Sequence, residues 1–335
     1  MEINQIPAED ITKKRNRDLA VLSVLLIIYH FAAKLFVYVF YYTSYTVLSG
    51  KFTLSWNEVR NYLADRPDTV NSTAYQMSAN ISVTAATILL TLFIAGVFFK
   101  TTVWSFFKID SKCVKTGVKW LSPCFVFNML ASTAIAFLTS FLNSMGVSVP
   151  SADFSIRQPS VIAVIMQITY IVILAPLFEE VLYRGLIIKM VSPYSKTGAV
   201  LVSALAFGLM HGNIPQAASA FCTGLIYAII ALKCGSIIPT MIIHSLNNLI
   251  VNSPELASAM GISYNEAVLS IIEICIGLFG FFVWFTGYKY LKFEDNPDRQ
   301  ERALALKKVM SNPMIIIYLG ILVFVIIKRI FEANA

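Results

Sequence analysis

Long apolar runs separated by short polar stretches dominate the chain. A helix needs roughly 20 predominantly apolar residues to cross a bilayer core. On that basis the pattern predicts spanning helices at 19–42, 79–99, 120–143, 160–190, 197–212, 215–232, 236–252 and 266–288. A shorter run at 313–331, ending in Lys328 and Arg329, is a ninth candidate. The expected fold class is all-α, a polytopic transmembrane helix bundle of about eight or nine spans. It divides into N-terminal transmembrane helices (1–159, spans one to three), a core (160–252) and C-terminal transmembrane helices (253–335). The first run, from about Leu19, is too long for a signal-peptide core and has no small-residue cleavage site close behind it.

Three of these runs carry polar residues that lipid would reject. In span four, Glu179, Glu180 and Arg184 fall within six residues of one another in an apolar context. Each charge costs about 2.5–3.5 kcal/mol at the centre of a membrane helix on insertion scales. Such groups persist when they are paired, face a wet cavity or do chemistry. Glu180 and Arg184 stand at i,i+4 and can pair on one helix face. Glu179 points about 100° away around the helix and has no charge partner at that spacing. It is expected to face the bundle interior, where burial favours the neutral carboxyl. Span five ends in Phe207-x-x-x-His211, and span seven contains His244-x-x-x-Asn248, each again sharing a face at i,i+4. Glu179, His211, His244 and Asn248 can converge if spans four, five and seven enclose one cavity. Pro176 and Pro239 lie near these sites and are candidates for kinks that open room. His30, in span one, has only Lys34 as a polar neighbour at helical spacing and is read as incidental.

Composition and charge fix the setting. The chain has 335 residues, 57% hydrophobic and only 13% charged, about half the charged share of a soluble domain. The formal net charge of +7 reads as basic loops on the cytoplasmic side of a membrane, with no nucleic-acid partner implied. Lys13, Lys14, Arg15 and Arg17 precede span one, five lysines lie between 100 and 119, and six basic residues between 289 and 308. The stretches 144–159 and 253–265 together contain one Arg and no Lys. The positive-inside rule therefore places the N-terminus in the cytoplasm. The five cysteines form no C-x-x-C pair, and most sit in apolar runs, as small buried hydrophobes do. They supply neither a thiolate metal site nor a disulfide framework.

Glu179-Glu180-x-x-x-Arg184, Phe207-x-x-x-His211 and His244-x-x-x-Asn248, in that order, resemble the three signature motifs of the CPBP family of intramembrane proteases. That family contains the CaaX-processing proteases and the bacteriocin-processing or immunity (Abi) proteins. The resemblance makes 160–252 a CPBP-like catalytic core; the flanking helices carry no motif of this kind. It implies peptide-bond hydrolysis of a membrane-associated peptide or protein, on the cytoplasmic side of the membrane. Carried onto these residues, Glu179 is the general base that activates water, assisted by His211. His244 and Asn248 bind the developing oxyanion, and Glu180, Arg184 and Phe207 support them. Such chemistry is consistent with a carboxylate that accepts a proton from water and with amide and imidazole donors worth about 2.7–4 kcal/mol each to an oxyanion. The family has also been described as metal-dependent, and Glu179, His211 and His244 are the three residues that would then hold Zn²⁺, with water in the fourth position. No His-Glu-x-x-His motif is present, and the metal-free glutamate mechanism, with no cofactor, is the favoured reading.

Two other classes fit parts of the pattern. A non-catalytic immunity or regulatory scaffold of the same family could bind a peptide in the same cavity. An ion-coupled transporter also places Glu, Arg and His inside the membrane, but the chain lacks the repeated halves common in such carriers. The expected location is the bacterial plasma membrane, with the endoplasmic reticulum as the alternative.

Overall fold

The computed structural model describes residues 8–99, 102–263, 265–292 and 298–335; Lys100, one of the basic residues noted above, lies outside them. Among the described residues there are helices and no strands. The ten principal helices are α1 (Ala8–Ser49), α2 (Thr73–Phe99), α3 (Ser111–Ser144), α4 (Val161–Val191), α5 (Lys196–Leu209), α6 (Ile214–Cys234), α7 (Ile238–Ala259), α8 (Glu266–Gly287), α9 (Arg299–Met310) and α10 (Pro313–Ala333). The chain is an all-α polytopic bundle.

Seven helices, α1, α2, α3, α4, α6, α8 and α10, are long and apolar enough to cross a membrane. The run at 313–331 is therefore one of the seven. Two expected spans fall short of that test. α5 has only 14 residues. α7 has 22 but carries His244, Asn247, Asn248 and Asn252, which lower its apolar character. α7 holds His244 and Asn248 of the candidate site, so its departure has a chemical cause, whereas α5 departs in length alone.

Two of the buried apolar clusters pack around the middle of the bundle. Leu19, Leu22 and Leu26 of α1, Leu182 and Leu186 of α4, Phe207 of α5 and Tyr318 of α10 belong to one buried cluster. Trp120 and Cys124 of α3, Ile226 and Tyr227 of α6 and Ile243 of α7 form a second. Outward faces are apolar too: Phe93 of α2 and Phe282 and Phe285 of α8 are exposed, as side chains that face lipid should be.

Hydrogen bonds between distant segments define two ends of the bundle. At the first, the Tyr194 hydroxyl donates to Asp18 (2.6 Å), Ile237 N–H to the Phe106 carbonyl (3.0 Å) and Lys189 to Ser105 (3.0 Å). At the second, Thr73 N–H donates to the Arg157 carbonyl (3.2 Å), Ile156 N–H to Glu255 (2.9 Å), and Asn334 to the Ser148 carbonyl (2.8 Å). Arg329 near the end of α10 reaches the Gly212 carbonyl just past α5 (3.4 Å). α7 thus runs from Ile237 at the first end to Glu255 at the second, and α5 runs beside α10 towards the second.

Gly117 of α3 permits the closest approach of α3 to α7. A Cβ there would lie 2.7 Å from the Pro239 carbonyl oxygen, so only hydrogen fits between the backbones, in the way small residues serve membrane helix contacts. Gly117→Val should therefore destabilise the bundle by about 1–3 kcal/mol, the usual range for overpacking. Thermal unfolding in detergent checks this: the midpoint should fall for Gly117→Val and stay unchanged for Gly320→Ala, where nothing lies within 4 Å.

Candidate functional site

The site begins with a buried carboxylate. Glu180 and Arg184, one turn apart on α4, have fully buried side chains and a 2.9 Å ion pair. The Arg184 guanidinium lies 4.0 Å over the Phe207 ring and 5.2 Å from that of Tyr227, and its second nitrogen points to the Gly224 carbonyl at 3.4 Å. A carboxylate and two aromatic faces hold this cation without water, although its buried Nε has no hydrogen-bond partner among the described residues. His244 of α7 places Nδ1 3.1 Å from the same Glu180 oxygen. With an ionised carboxylate as the only possible acceptor, Nδ1–H donates. One carboxylate thereby joins α4 to α7 and, through Arg184, to α5 and α6.

The same ring turns Nε2 towards Glu179, whose Oε2 is 3.6 Å away. That is an ion-pair distance and too long for a direct hydrogen bond. Glu179 is 19% exposed, against none for Glu180. The partner for Glu179 that helical spacing does not supply comes from another helix, 65 residues along the chain. Of the two adjacent glutamates, one is sealed in the wall and the other faces the cavity.

His211 sits in the turn between α5 and α6. Its Nδ1 is 2.9 Å from the Phe207 carbonyl. A carbonyl only accepts, so Nδ1 carries the proton and Nε2 of the neutral ring is a free acceptor. The turn is held in place by Asn213, which caps α6 by accepting from Gln216 N–H (2.9 Å) and donates to the His211 carbonyl (3.1 Å). Gly212 between them has φ +70°, and a Cβ there would also lie 3.2 Å from the Arg329 guanidinium, so glycine suits the position twice over.

Asn248 is fixed by an irregularity in α4. Residues Thr169–Leu174 and Glu180–Ile187 are π-helical, with an α-helical turn between them. In π register the N–H of Pro176 would bond the Ile171 carbonyl, but proline has none. The Asn248 amide donates to that carbonyl instead (2.9 Å). Asn248 keeps a second N–H. Pro176 therefore works here through a freed carbonyl within a continuous helix, while Pro239 lies in the first turn of α7, where proline is tolerated.

Glu179, His211, His244 and Asn248 all line one cavity of about 780 Å³. Phe207 lines it too, whereas Glu180 and Arg184 stand behind its wall. Its other walls come from helices to which no role was given. Asn128, Ser132, Thr139 and Asn143 of α3 line it at intervals of four, seven and four residues, and Gln216, Ser219 and Thr223 of α6 at three and four. These are helical-face spacings. The signal was present in the sequence as polar stripes in otherwise apolar helices. Asn247 also lines the cavity, and its buried Oδ1 accepts no hydrogen bond among the described residues. His30 lies apart, 3.4 Å from the Tyr318 hydroxyl.

The cavity extends towards one end of the bundle. From its floor at Glu179, Tyr227 and His244 it runs to Asn143, Ser151 and Gln216, all towards the second end of the bundle and away from the basic segments. Asn143 and Ser151 are exposed.

A zinc site built on Glu179, His211 and His244 does not fit this arrangement. Among the described residues no three His, Cys, Asp or Glu side chains are grouped to hold a metal ion.

Residues 161–250 match the model of a protein family described as type II CAAX prenyl endopeptidase Rce1-like. The match covers 90 of 335 residues, from the start of α4 into α7, and includes every motif residue named above. The chain is also 29% identical over 138 residues to an uncharacterised 24.3 kDa protein of Escherichia coli, across 38% of this chain and 59% of that relative. The chain thus spans about 59% of the length of the curated relative it matches. No solved structure matches. Residues 161–250 are thus similar to the Rce1-like family, in agreement with the CPBP resemblance of the motifs they contain.

Removing Arg184 would leave Glu180 buried with His244 as its remaining charged neighbour. Arg184→Ala should cost about 3–5 kcal/mol, the usual penalty for breaking a buried pair from one side. Arg184→Lys should recover only part, because an ammonium cannot lie flat between Phe207 and Tyr227. Thermal unfolding of the purified variants measures both.

Proposed function

We propose that this protein is an intramembrane endopeptidase of the CPBP type that cleaves a membrane-associated peptide or protein with glutamate-activated water. The observation that carries the reading is the single cavity lined by Glu179, His211, His244 and Asn248, within the Rce1-like match. The protein is placed by this reading in a bacterial plasma membrane, with the bilayer and the substrate as its partners and the N-terminus in the cytoplasm.

The cycle uses the chain's own groups. Water at the floor of the cavity is held by the Glu179 carboxylate and by the free Nε2 of His211. Glu179 takes one proton as the water oxygen attacks the substrate carbonyl. The carbonyl π-electron pair moves to oxygen, and that oxyanion is met by the second N–H of Asn248 and by Nε2–H of His244 in its doubly protonated state. Glu180 then balances the imidazolium through Nδ1. As the C–N bond breaks, Glu179 returns its proton to the leaving amine. Two adjacent glutamates serve distinct ends here: one moves protons because it is reachable, and the other holds His244 and Arg184 because it is not. No step passes through a metal, and none needs a redox partner.

Glu179→Gln keeps the shape of the site and removes the base. It should lower the cleavage rate by about 10²–10⁴-fold, the range for general-base catalysis, with the thermal midpoint unchanged. Asn248→Ala should lower it by about 10²–10³-fold, as loss of an oxyanion donor does. Cleavage of a peptide library by the detergent-purified protein, with and without a strong chelator, measures these effects. Cleavage that survives Glu179→Gln overturns the assignment of the base, and cleavage abolished by the chelator overturns the metal-free mechanism.

A further inference from the structure

The lining of the cavity extends towards one end of the bundle, and its position relative to the charged loops carries information about the substrate. On each helix that lines it, the lining residues run from the floor towards the same end: Asn128 to Asn143 on α3, Tyr227 to Pro215 on α6, and His244 to Asn252 on α7. The loop residues Ser151 and Phe154 complete the rim. The 15 residues from Asn128 to Asn143 correspond to about 22 Å of helix, so the lining reaches well up the bundle.

The opposite end is closed and basic. Below the floor, Trp120 and Tyr227 are buried to 1% exposure, Gly117 meets Pro239 backbone to backbone, and Ile237 is hydrogen-bonded to Phe106. Beyond that plug lie segment 13–18, with four basic residues and one acid, and segment 108–119, with four lysines and one acid. The segments at the mouth end are balanced. Segment 50–72 has three basic and three acidic residues, 145–160 has one of each, 253–265 has one acid alone, and 326–335 at the end of α10 has two basic residues and one acid. Lys and Arg in short loops mark the cytoplasmic face, so the mouth faces the other side.

Resting on the endopeptidase reading above, we infer that the cavity takes its substrate from the non-cytoplasmic side of the membrane, as an uncharged extended segment of a membrane-anchored or translocated polypeptide. The walls specify the second half of that statement. Among the described residues the lining contains no Lys, Arg or Asp, and Glu179 is its only carboxylate. What it offers beyond the site is neutral: amides and hydroxyls from Asn128, Ser132, Ser219 and Thr223, with Tyr170 and Phe154 as apolar surface. A charged segment would surrender its hydration on entry without gaining an ion pair. Backbone amides of an extended peptide, by contrast, find acceptors in those amides and hydroxyls. A prenylated C-terminal tail is attached by reactions of the cytoplasm and would meet the plugged end.

The test has two arms on the full-length protein. In the first, the five native cysteines are replaced, and Ser219→Cys (cavity wall) and Lys112→Cys (basic end) are each treated with a membrane-impermeant maleimide, in intact cells and in inverted vesicles. Ser219→Cys labelled in intact cells, with Lys112→Cys labelled only in inverted vesicles, supports the inference. Ser219→Cys labelled only from the Lys112 face, or from neither face, overturns it. In the second arm, a single-span reporter carries one short uncharged segment beside its membrane helix, inserted in either orientation. The expected result is cleavage of the reporter whose segment lies outside the cell, lost in Glu179→Gln. Cleavage only of the cytoplasmic version overturns the inference. Labelling from outside with no cleavage of either reporter overturns the protease reading, and with it the substrate class, while supporting the assigned side of the cavity.

Discussion

The structure around the site depends on one constraint: a carboxylate with no access to water must be satisfied by the protein. Glu180 meets it through one oxygen, which takes Arg184 at 2.9 Å and His244 at 3.1 Å, while its other oxygen is buried with no hydrogen-bond partner among the described residues. Each partner then has needs of its own. The guanidinium has to be shielded on its faces, which brings in Phe207 from α5 and Tyr227 from α6. His244 has a second nitrogen, which ends up beside Glu179. Four helices are thereby set in register by one buried charge. Such a pair contributes little net stability compared with well-packed apolar residues. Its effect is on arrangement, since few rotations of α7 bring Nδ1 to Glu180 and Nε2 to Glu179 together.

A second constraint acts through the backbone. In lipid every N–H and C=O must be paired within the protein, and a proline inside a spanning helix breaks that rule. α4 absorbs Pro176 with a π-helical turn before it, and Asn248 donates to the carbonyl thereby released. Asn248 is thus doubly determined. One N–H repairs α4, and the rest of the amide is held at the cavity by that repair. A side chain anchored in this way loses little entropy when it meets a developing charge, which is the condition for preorganised stabilisation of an oxyanion.

Much of this was legible in the sequence because membranes make polar residues informative. Charges in apolar runs singled out Glu179, Glu180 and Arg184, and helical spacing paired the last two. Spacing on one helix could not see contacts between helices, so the bridge from His244 to both glutamates was out of reach, as was the role of Pro176. The polar stripe Asn128, Ser132, Thr139 and Asn143 was readable by periodicity. Single serines and asparagines are common enough in membrane helices that only the cavity gives the stripe its meaning. The depth of α5 was overestimated at 197–212 because the apolar run continues through Met210, although the helix ends at Leu209 before the Gly212 turn.

The position of the mouth bears on the reading of a transport path. A carrier needs its polar site to become reachable from both faces, and a wet route towards the basic end would have to pass Trp120, Tyr227 and the Gly117–Pro239 contact. Those are close-packed groups at the floor, where an opening would also separate Arg184 from its aromatic neighbours and strip the shielding from a buried ion pair. A hydrolase needs no such opening, because substrate and both products can use one mouth and water can reach Glu179 along the same polar walls. The groups that make the site rigid are the groups that close its far side. The geometry places the candidate residues at the floor of a cavity whose far side is close-packed.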